Sequence, residues 1–392
     1  MNLLDWLLVL FALGYALSGF RQGFVIGALA TLGLLTGGLV GVLVAPRLFD
    51  EFAPSLTLSV AALCTVLVCA VIGQAVAAYF GAGLRRRITW HPARAVDAIG
   101  GAALSGAAAL VVAWALGVAV LGAQIPSVNA LVQSSTVLRT VDAALPGDAD
   151  QMLGALTDVV DQSIFPRYLE PFVTERIVEV DPPTRRILRD PQIAAASESV
   201  VKILGTAESC ARSVEGSGFV YAPDRVMTNA HVVAGVDEPQ VVVDEQALPA
   251  QVVVYDSDLD IAVLAVEGLS GAPLAFAEDA DTGDTAAVLG YPENGPFDAE
   301  PARIRSEQRL RSPDIYGRGT VVRDVLSVYA DVRPGNSGGP LVSPGGEVYG
   351  VIFAASISDE RTGYAVTAEQ VAGDAESGRV ATESVDTGAC SS

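Results

Sequence analysis

Three residues, far apart in the chain, have the types and surroundings that nucleophilic acyl chemistry requires. Ser337 stands in "DVRPGNSGGPLV", Asp331 to Val342, among glycines that permit a tight turn. A serine hydroxyl is a weak nucleophile until a neighbouring imidazole accepts its proton. The soluble half of the chain offers one histidine for that task, His231 in "MTNAHVVAG". Such an imidazole needs a carboxylate on its other nitrogen, which fixes the tautomer and stabilises the imidazolium. Asp260, in "SDLDIAVLAV", directly precedes an apolar run, whereas its rivals Asp256 and Asp258 sit in the acidic turn before it. Gly335, two residues ahead of the serine, lets the backbone turn so that its N–H and that of Ser337 can face one developing oxyanion. Together these residues point to a His231–Asp260–Ser337 triad with a 335/337 oxyanion hole, and neither a metal nor a cofactor is needed.

The elements that must carry these groups are short runs of β-branched residues separated by Gly, Pro and Asp. From Ser199 they read "SVVKILG", "GSGFVYAP", "DRVMTNAHVV", "QVVVDE", "AQVVVYD" and "IAVLAVE". A second set follows: "TAAVLGYP", "RGTVVRD", "VLSVYAD", "PLVSPGGEVYGVIFAA" and "GYAVTA". About a dozen strands without long helices predict an all-β sandwich or a pair of barrels over 199–392. No amphipathic run follows Ser337, so a helix-capping role for it is excluded. "TAEQ", Thr367 to Gln370, has the form of a capping box opening a short helix after the last strand.

The first 123 residues are of another kind. Apolar runs at 3–20, 24–45, 56–82 and 98–123 are each near or above the roughly 18–20 residues that cross a hydrocarbon core. Four transmembrane helices in a lipid bilayer are expected. Arg21, Arg85, Arg86, Arg87 and Arg94 fall in the loops after spans one and three, which by the positive-inside rule leaves both chain ends outside the cytoplasm. Small residues at every fourth position, Gly33, Gly37 and Gly41, then Gly101, Ser105, Ala109, Ala113 and Gly117, predict close helix packing. Asp5 and Asp97 lie near helix ends, where an interfacial place is expected. Between the two halves, 124–198 reads as a connector of short helices, with Met152, Leu153, Leu156, Val159 and Val160 at helical spacing and turns around Pro182, Pro183 and Pro191. From residue 124 onward, 18 Lys and Arg stand against 41 Asp and Glu, and Lys202 is the sole lysine. An acidic outer half without a basic stripe excludes nucleic-acid binding.

"GFRQGFVIGALATLGLLTGGLVG" and "VDAIGGAALSG" resemble the colicin V production (CvpA) family of small membrane proteins. "TNAHVV", "DLDIAVL" and "GNSGGPLV" closely resemble the trypsin-like serine proteases of chymotrypsin fold, over about 199–367, and share the motifs of their HtrA branch. The combination resembles the membrane-anchored acid-resistance periplasmic proteases of actinobacteria (MarP type). That resemblance implies a serine endopeptidase of multi-pass type in the inner (plasma) membrane. Its protease domain would be periplasmic and act on cell-envelope proteins during acid and oxidative stress. It also implies that Phe353, Ala354 and Ala355 form the strand that pairs with a substrate peptide. Asp331, six residues before Ser337, falls where trypsin-like enzymes carry the base of the specificity pocket. A buried acid there would select Arg or Lys, while an outward-turned Asp331 would leave a small apolar pocket lined by Val332, Ala354 and Ala365, which is the expected form. A reading from another class is a membrane transport or secretion component whose outer domain only binds peptides.

Cys210 and Cys390 are the only cysteines outside the spans. With the outer half exported to a compartment where oxidation persists, they are expected to be joined.

Overall fold

The computed structural model describes residues 2–49, 56–121, 126–145, 175–207, 210, 212–243, 246–269, 271–317, 319–356 and 358–391. It falls into two compact units, Met1–Val118 with Ser134–Pro146 and Ala119–Gln133 with Gly147–Ser392. The helical reading of the connector around Met152–Val160 lies outside the described residues.

In the first unit, α1 (Leu3–Gln22), α2 (Phe24–Phe49), α3 (Leu56–Arg85) and α4 (His91–Leu121) are long and apolar enough to cross a membrane. The small-residue ridges do what their spacing predicts. A Cβ on Gly33 would collide with the Gly73 carbonyl, and one on Gly19 with the Gly101 carbonyl and Ser105. Only side-chain-free positions allow α2 to lie so close to α3, and α1 to α4. Asp5 and Asp97, near the starts of α1 and α4, are buried within the protein, and each has partners. Asp5 closes a capping box with Asn2 and accepts hydrogen bonds from Ser135 Oγ and Val137 N–H, so it also caps the short helix α6 (Thr136–Asp142); α5 (Pro126–Gln133) precedes it in the chain. Asp97 pairs with Arg85 at 2.8 Å and accepts Val25 N–H. The α4 helix begins at His91, ahead of the apolar run, and this brings Asp97 into its second turn.

In the second unit an extended stretch from Glu175 is held to the strands by Tyr364 Oη donating to Glu175 and Arg305 donating to the Val178 carbonyl. Pro191, expected to break structure, instead opens α7 (Pro191–Ser197), with Asp190 accepting Gln192 N–H as the cap. Seven strands then form the first sheet: β1 (Val200–Ala207), β2 (Arg212–Ala222), β3 (Arg225–Thr228), β4 (Gln240–Val243), β5 (Gln246–Pro249), β6 (Gln251–Asp256) and β7 (Ile261–Ala265). Their order is β5-β4-β1-β2-β3-β7-β6. Six more strands close a barrel in the order β10-β13-β12-β11-β8-β9. They are β8 (Thr285–Gly290), β9 (Asp298–Pro313), β10 (Thr320–Tyr329), β11 (Pro340–Val342), β12 (Val348–Ala355) and β13 (Thr362–Thr367).

Two features depart from the sequence reading. "RGTVVRD" and "VLSVYAD" are one continuous strand, β10. The strand β9 escapes a hydropathy reading because "DAEPARIRSEQRLRSP" is charged along most of its length. Its inward positions Ala302, Ile304 and Leu310 are nonetheless buried, and it is hydrogen-bonded to β8 and β10 on its two edges.

After β13, Thr367 caps α8 (Ala368–Val380) by accepting Gln370 N–H, which is half of the expected capping box; the Gln370 side chain accepts Asp324 N–H instead of returning to Thr367. The helix runs well past that box because glycine at 378 lets its backbone reach the first sheet. A Cβ there would sit 2.5 Å from Tyr221 Oη, and Arg225 donates to the Gly378 and Ala381 carbonyls. The tail then crosses the first sheet. Val385 N–H donates to Val252 O, Gly235 N–H to Thr387 O, and Cys390 is disulfide-bonded to Cys210.

Two expectations follow from this packing. The disulfide spans 180 residues, so replacing both cysteines by serine should lower stability by about 2–4 kcal/mol. A thermal melt of the double variant would show this as a fall of several degrees, and an unchanged melting temperature would mean that the tail holds without the bond. Asp374 of α8 has its carboxyl pushed up to about 6, first by burial and then by the charge of Asp256. Its folded pKa thus exceeds the unfolded value, so the native state holds this proton more tightly and the group's contribution to stability is lost as pH rises from about 4 through 6. Asp374→Asn should therefore raise the melting temperature at pH 7.5 and leave it little changed at pH 4.

Candidate active site

His231 lies on a single 3-10 turn, Ala230–Val232, immediately after β3. Asp260 opens β7, after a turn that Asp256 closes by accepting the N–H groups of Asp258 and Leu259. The rivalry among the three acids is resolved by this turn. Asp256 is consumed in shaping it and Asp258 is exposed. Asp260, fully buried, grips His231 twice. Its Oδ2 lies 2.8 Å from His231 Nδ1, and its Oδ1 accepts the His231 backbone N–H at 2.8 Å. A carboxylate can only accept, so the hydrogen sits on Nδ1, and in the neutral ring Nε2 presents its lone pair. Asn229 steadies the acid by donating from Nδ2 to the Asp260 carbonyl at 2.8 Å. This grip requires φ +63° at Asp260, a left-handed conformation unusual for a side chain-bearing residue.

Ser337 belongs to the loop between β10 and β11, and it is 3% exposed. Backbone hydrogen bonds fix the loop from within, Asn336 N–H to Arg333 O and Gly339 N–H to Asn336 O. It is fixed from the barrel by Gly338 N–H to Ile352 O at 2.8 Å, and from the first sheet by Ser217 N–H to Ser337 O at 2.8 Å. Ser217 Oγ in turn donates to Gly335 O at 2.7 Å and accepts Tyr291 N–H at 2.8 Å. Gly335 has φ +92°, and a Cβ there would lie 2.5 Å from Tyr291 O, so glycine is required twice over. Among the described residues, no hydrogen bond within the protein engages the N–H of Gly335 or of Ser337. The two sides of the site converge on Gly216, where a Cβ would meet Val232 Cγ1 at 2.7 Å and Ser337 O at 3.2 Å.

The expected substrate-binding residues are placed less uniformly. Asp331 is exposed, its carboxylate 3.7 Å from Arg333 Nε; the buried acid that would select Arg or Lys is not formed. Arg333 also pairs with Asp298, and burial with the charges of Asp331 and Asp298 pushes the Glu300 carboxyl up. Val332 is buried, and its Cγ2 fills the space that a side chain at position 363 would take. Ala365 is packed in the barrel core beside Ile352 and Leu326, so it is no pocket wall. The Phe353 ring is fully buried with the Arg323 guanidinium 5.7 Å from its centroid, which leaves the backbone of 353–355 rather than that ring to meet a peptide. Ser217, Lys202 and the Tyr291–Asn294 turn were not singled out from the sequence. The "GSGF" around Ser217 is a short Gly-rich stretch that signals only a strand with close backbone contacts.

Residues 216–351 match the family model described as trypsin-like peptidase domain, and residues 4–146 match that described as colicin V production protein. Serine protease Rv3671c of Mycobacterium tuberculosis is 40% identical over 379 residues, which covers 96% of this chain and 95% of that protein. The crystal structure of the Rv3671c protease in its active form is 48% identical, with TM-score 0.55, and covers 57% of this chain and 99% of that one. Protease Do-like 1, chloroplastic, of Arabidopsis thaliana is 30% identical over 167 residues, 40% of this chain and 38% of that protein. With a relative matched along almost its whole length, and with both halves matched by their own family models, the chain belongs to the serine protease family of Rv3671c, in which a trypsin-like peptidase domain follows a colicin V production-type domain.

Proposed function

We propose that the chain is a membrane-anchored endopeptidase whose working groups are His231, Asp260 and Ser337, with the N–H groups of Gly335 and Ser337 as the oxyanion hole. The observation that carries this reading is the double grip of Asp260 on His231, which sets the imidazole in the tautomer a general base needs. Nε2 then takes the Ser337 proton as Oγ attacks the scissile carbonyl, and returns it to the leaving amine. The negative charge on the carbonyl oxygen meets two backbone donors that, among the described residues, no acceptor within the protein uses. Water attacks the acyl-enzyme by the same route in reverse. The exposed position of Asp331, which leaves no buried acid there to pair with Arg or Lys, favours small apolar side chains at the cleavage position. The arginines Arg21, Arg85, Arg86, Arg87 and Arg94, clustered between alternate spans, favour an extracytoplasmic peptidase domain. There, proteins of the cell envelope are the substrates at hand, and the resemblance to acid-resistance proteases makes survival of acid and oxidative stress the expected setting.

Ser337→Ala and His231→Ala should each reduce turnover of a peptide substrate by about 10⁵–10⁶, because the triad acts as a unit. Asp260→Asn should cost about 10⁴ through the wrong imidazole tautomer. A serine-directed fluorophosphonate should label the wild-type full-length chain and not Ser337→Ala, and turnover by Ser337→Ala within about tenfold of wild type would overturn the assignment. For topology, a reporter that matures only after export should be active when fused after residue 123 and silent after Arg87; the reverse pattern would put the peptidase in the cytoplasm.

A further inference from the structure

We propose that Lys202, the single lysine of the chain, is a positioning residue for the oxyanion loop, acting across the junction between the sheets through the Tyr291–Asn294 turn. The inference rests on the oxyanion role proposed for Gly335 and Ser337. In the register of β1 with β2, Lys202 lies directly opposite Ser217. Residues paired in this way present their side chains to the same face of a sheet, so both reach toward the barrel that carries Ser337. Ser217 bonds the loop directly, and Lys202 bonds the turn beneath it. Lys202 Nζ donates to the Asn294 carbonyl at 2.9 Å and to Asn294 Oδ1 at 3.1 Å, and it lies 5.5 Å from the Tyr291 ring centroid.

That turn is one the backbone does not choose freely. Glu293 and Asn294 both have φ +54°, two consecutive side chain-bearing residues in the left-handed region. Such a conformation persists only where its surroundings over-determine it. The ammonium supplies that constraint, since it holds the backbone oxygen and the side-chain oxygen of Asn294 together.

The shape of the turn matters because of where it points Glu293. The Glu293 N–H donates to the Pro334 carbonyl at 2.7 Å. Pro334 C=O and Gly335 N–H belong to one planar trans peptide and point in opposite directions. Holding the carbonyl on Glu293 therefore directs the Gly335 N–H away from the turn, toward the side where a substrate oxyanion would form. If the turn relaxes, this peptide is free to rotate. A rotated peptide presents a carbonyl oxygen where a donor is needed, which repels the developing charge instead of stabilising it. Lys202 itself touches neither substrate nor the reacting atoms.

The test uses the full-length chain in detergent, with a peptide substrate and a peptide aldehyde whose hemiacetal oxygen occupies the oxyanion hole. Lys202→Met should lower kcat by about 10–100-fold, the effect of losing one oxyanion donor in part, while KM stays within about twofold. Aldehyde affinity should fall in parallel with kcat/KM. Adding Asn294→Gly, a residue that takes positive φ without penalty, should recover at least about threefold of the lost kcat, because the turn then keeps its shape unaided. A merely structural lysine would not respond to that second change. If Lys202→Met does not fold, Lys202→Gln removes the same ammonium while keeping a polar end and gives the same comparison. Wild-type kcat in the variant, unchanged aldehyde affinity, or no recovery with Asn294→Gly each overturns the inference. Ser337→Ala separates the two levels. If that variant is inactive and Lys202→Met is normal, only the role of Lys202 is lost, whereas an active Ser337→Ala removes the proposed triad itself.

Discussion

The hydrogen bonds of Ser217 across the junction between the two sheets are the constraint on which the site depends. His231 and Asp260 are carried by the first sheet and Ser337 by the barrel, so no single element can hold the three in register. Ser217 does it from the middle of β2. Its N–H meets Ser337 O, its Oγ joins Gly335 O to Tyr291 N–H, and its own carbonyl accepts Thr228 Oγ1. Thr228 ends β3, and Asn229, which holds the Asp260 carbonyl, is the next residue. One chain of hydrogen bonds thus runs from the Ser337 loop to the backbone that carries His231 and Asp260. In a buried setting such a chain is worth more than its separate links, because each missing partner would leave a desolvated polar group.

Strain at Asp260 fits the same frame. A left-handed backbone at a residue with a side chain costs about 1–3 kcal/mol. Three hydrogen bonds converge on that residue: the His231 N–H, the His231 ring nitrogen and Asn229 Nδ2. The first two reach the carboxylate, where a hydrogen bond contributes about 1.5–3 kcal/mol, and together they are enough to hold the conformation. The acid can therefore sit at the very start of a buried strand, with both oxygens aimed back at one histidine, although its own backbone would not adopt that shape alone.

Much of this was legible in the sequence for a physical reason. The chemistry of a triad needs particular side chains, and side chains are what a sequence states. The four spans, the small-residue ridges, the cap at Thr367 and the joining of Cys210 to Cys390 could be read in the same way, since each is a pattern of residue type. What escaped was written in backbone geometry. The strand β9 is invisible to hydropathy because its outward residues are charged and its pairing comes from both neighbours. Asp331 has the spacing of a pocket base, yet spacing says nothing about which way a loop residue turns, and this one faces solvent beside Arg333. Ala365 looked like a pocket wall and is core, because a β12–β13 register decides which face each alanine takes.

The loop that carries Ser337 has no regular secondary structure, so its rigidity must come from its partners. It is bonded to the barrel through Ile352, to the first sheet through Ser217, and to the 291–294 turn through Glu293. These three attachments lie on different elements, and together they leave little freedom for a rigid-body shift. That matters because a displacement on the order of 1 Å in a reacting group can cost about 100-fold in rate. A loop free of helix or strand geometry can adopt the sharp turn at Gly335, with φ +92°, which neither helix nor strand allows. The site thus takes its unusual backbone from an irregular segment and its precision from the regular elements on three sides.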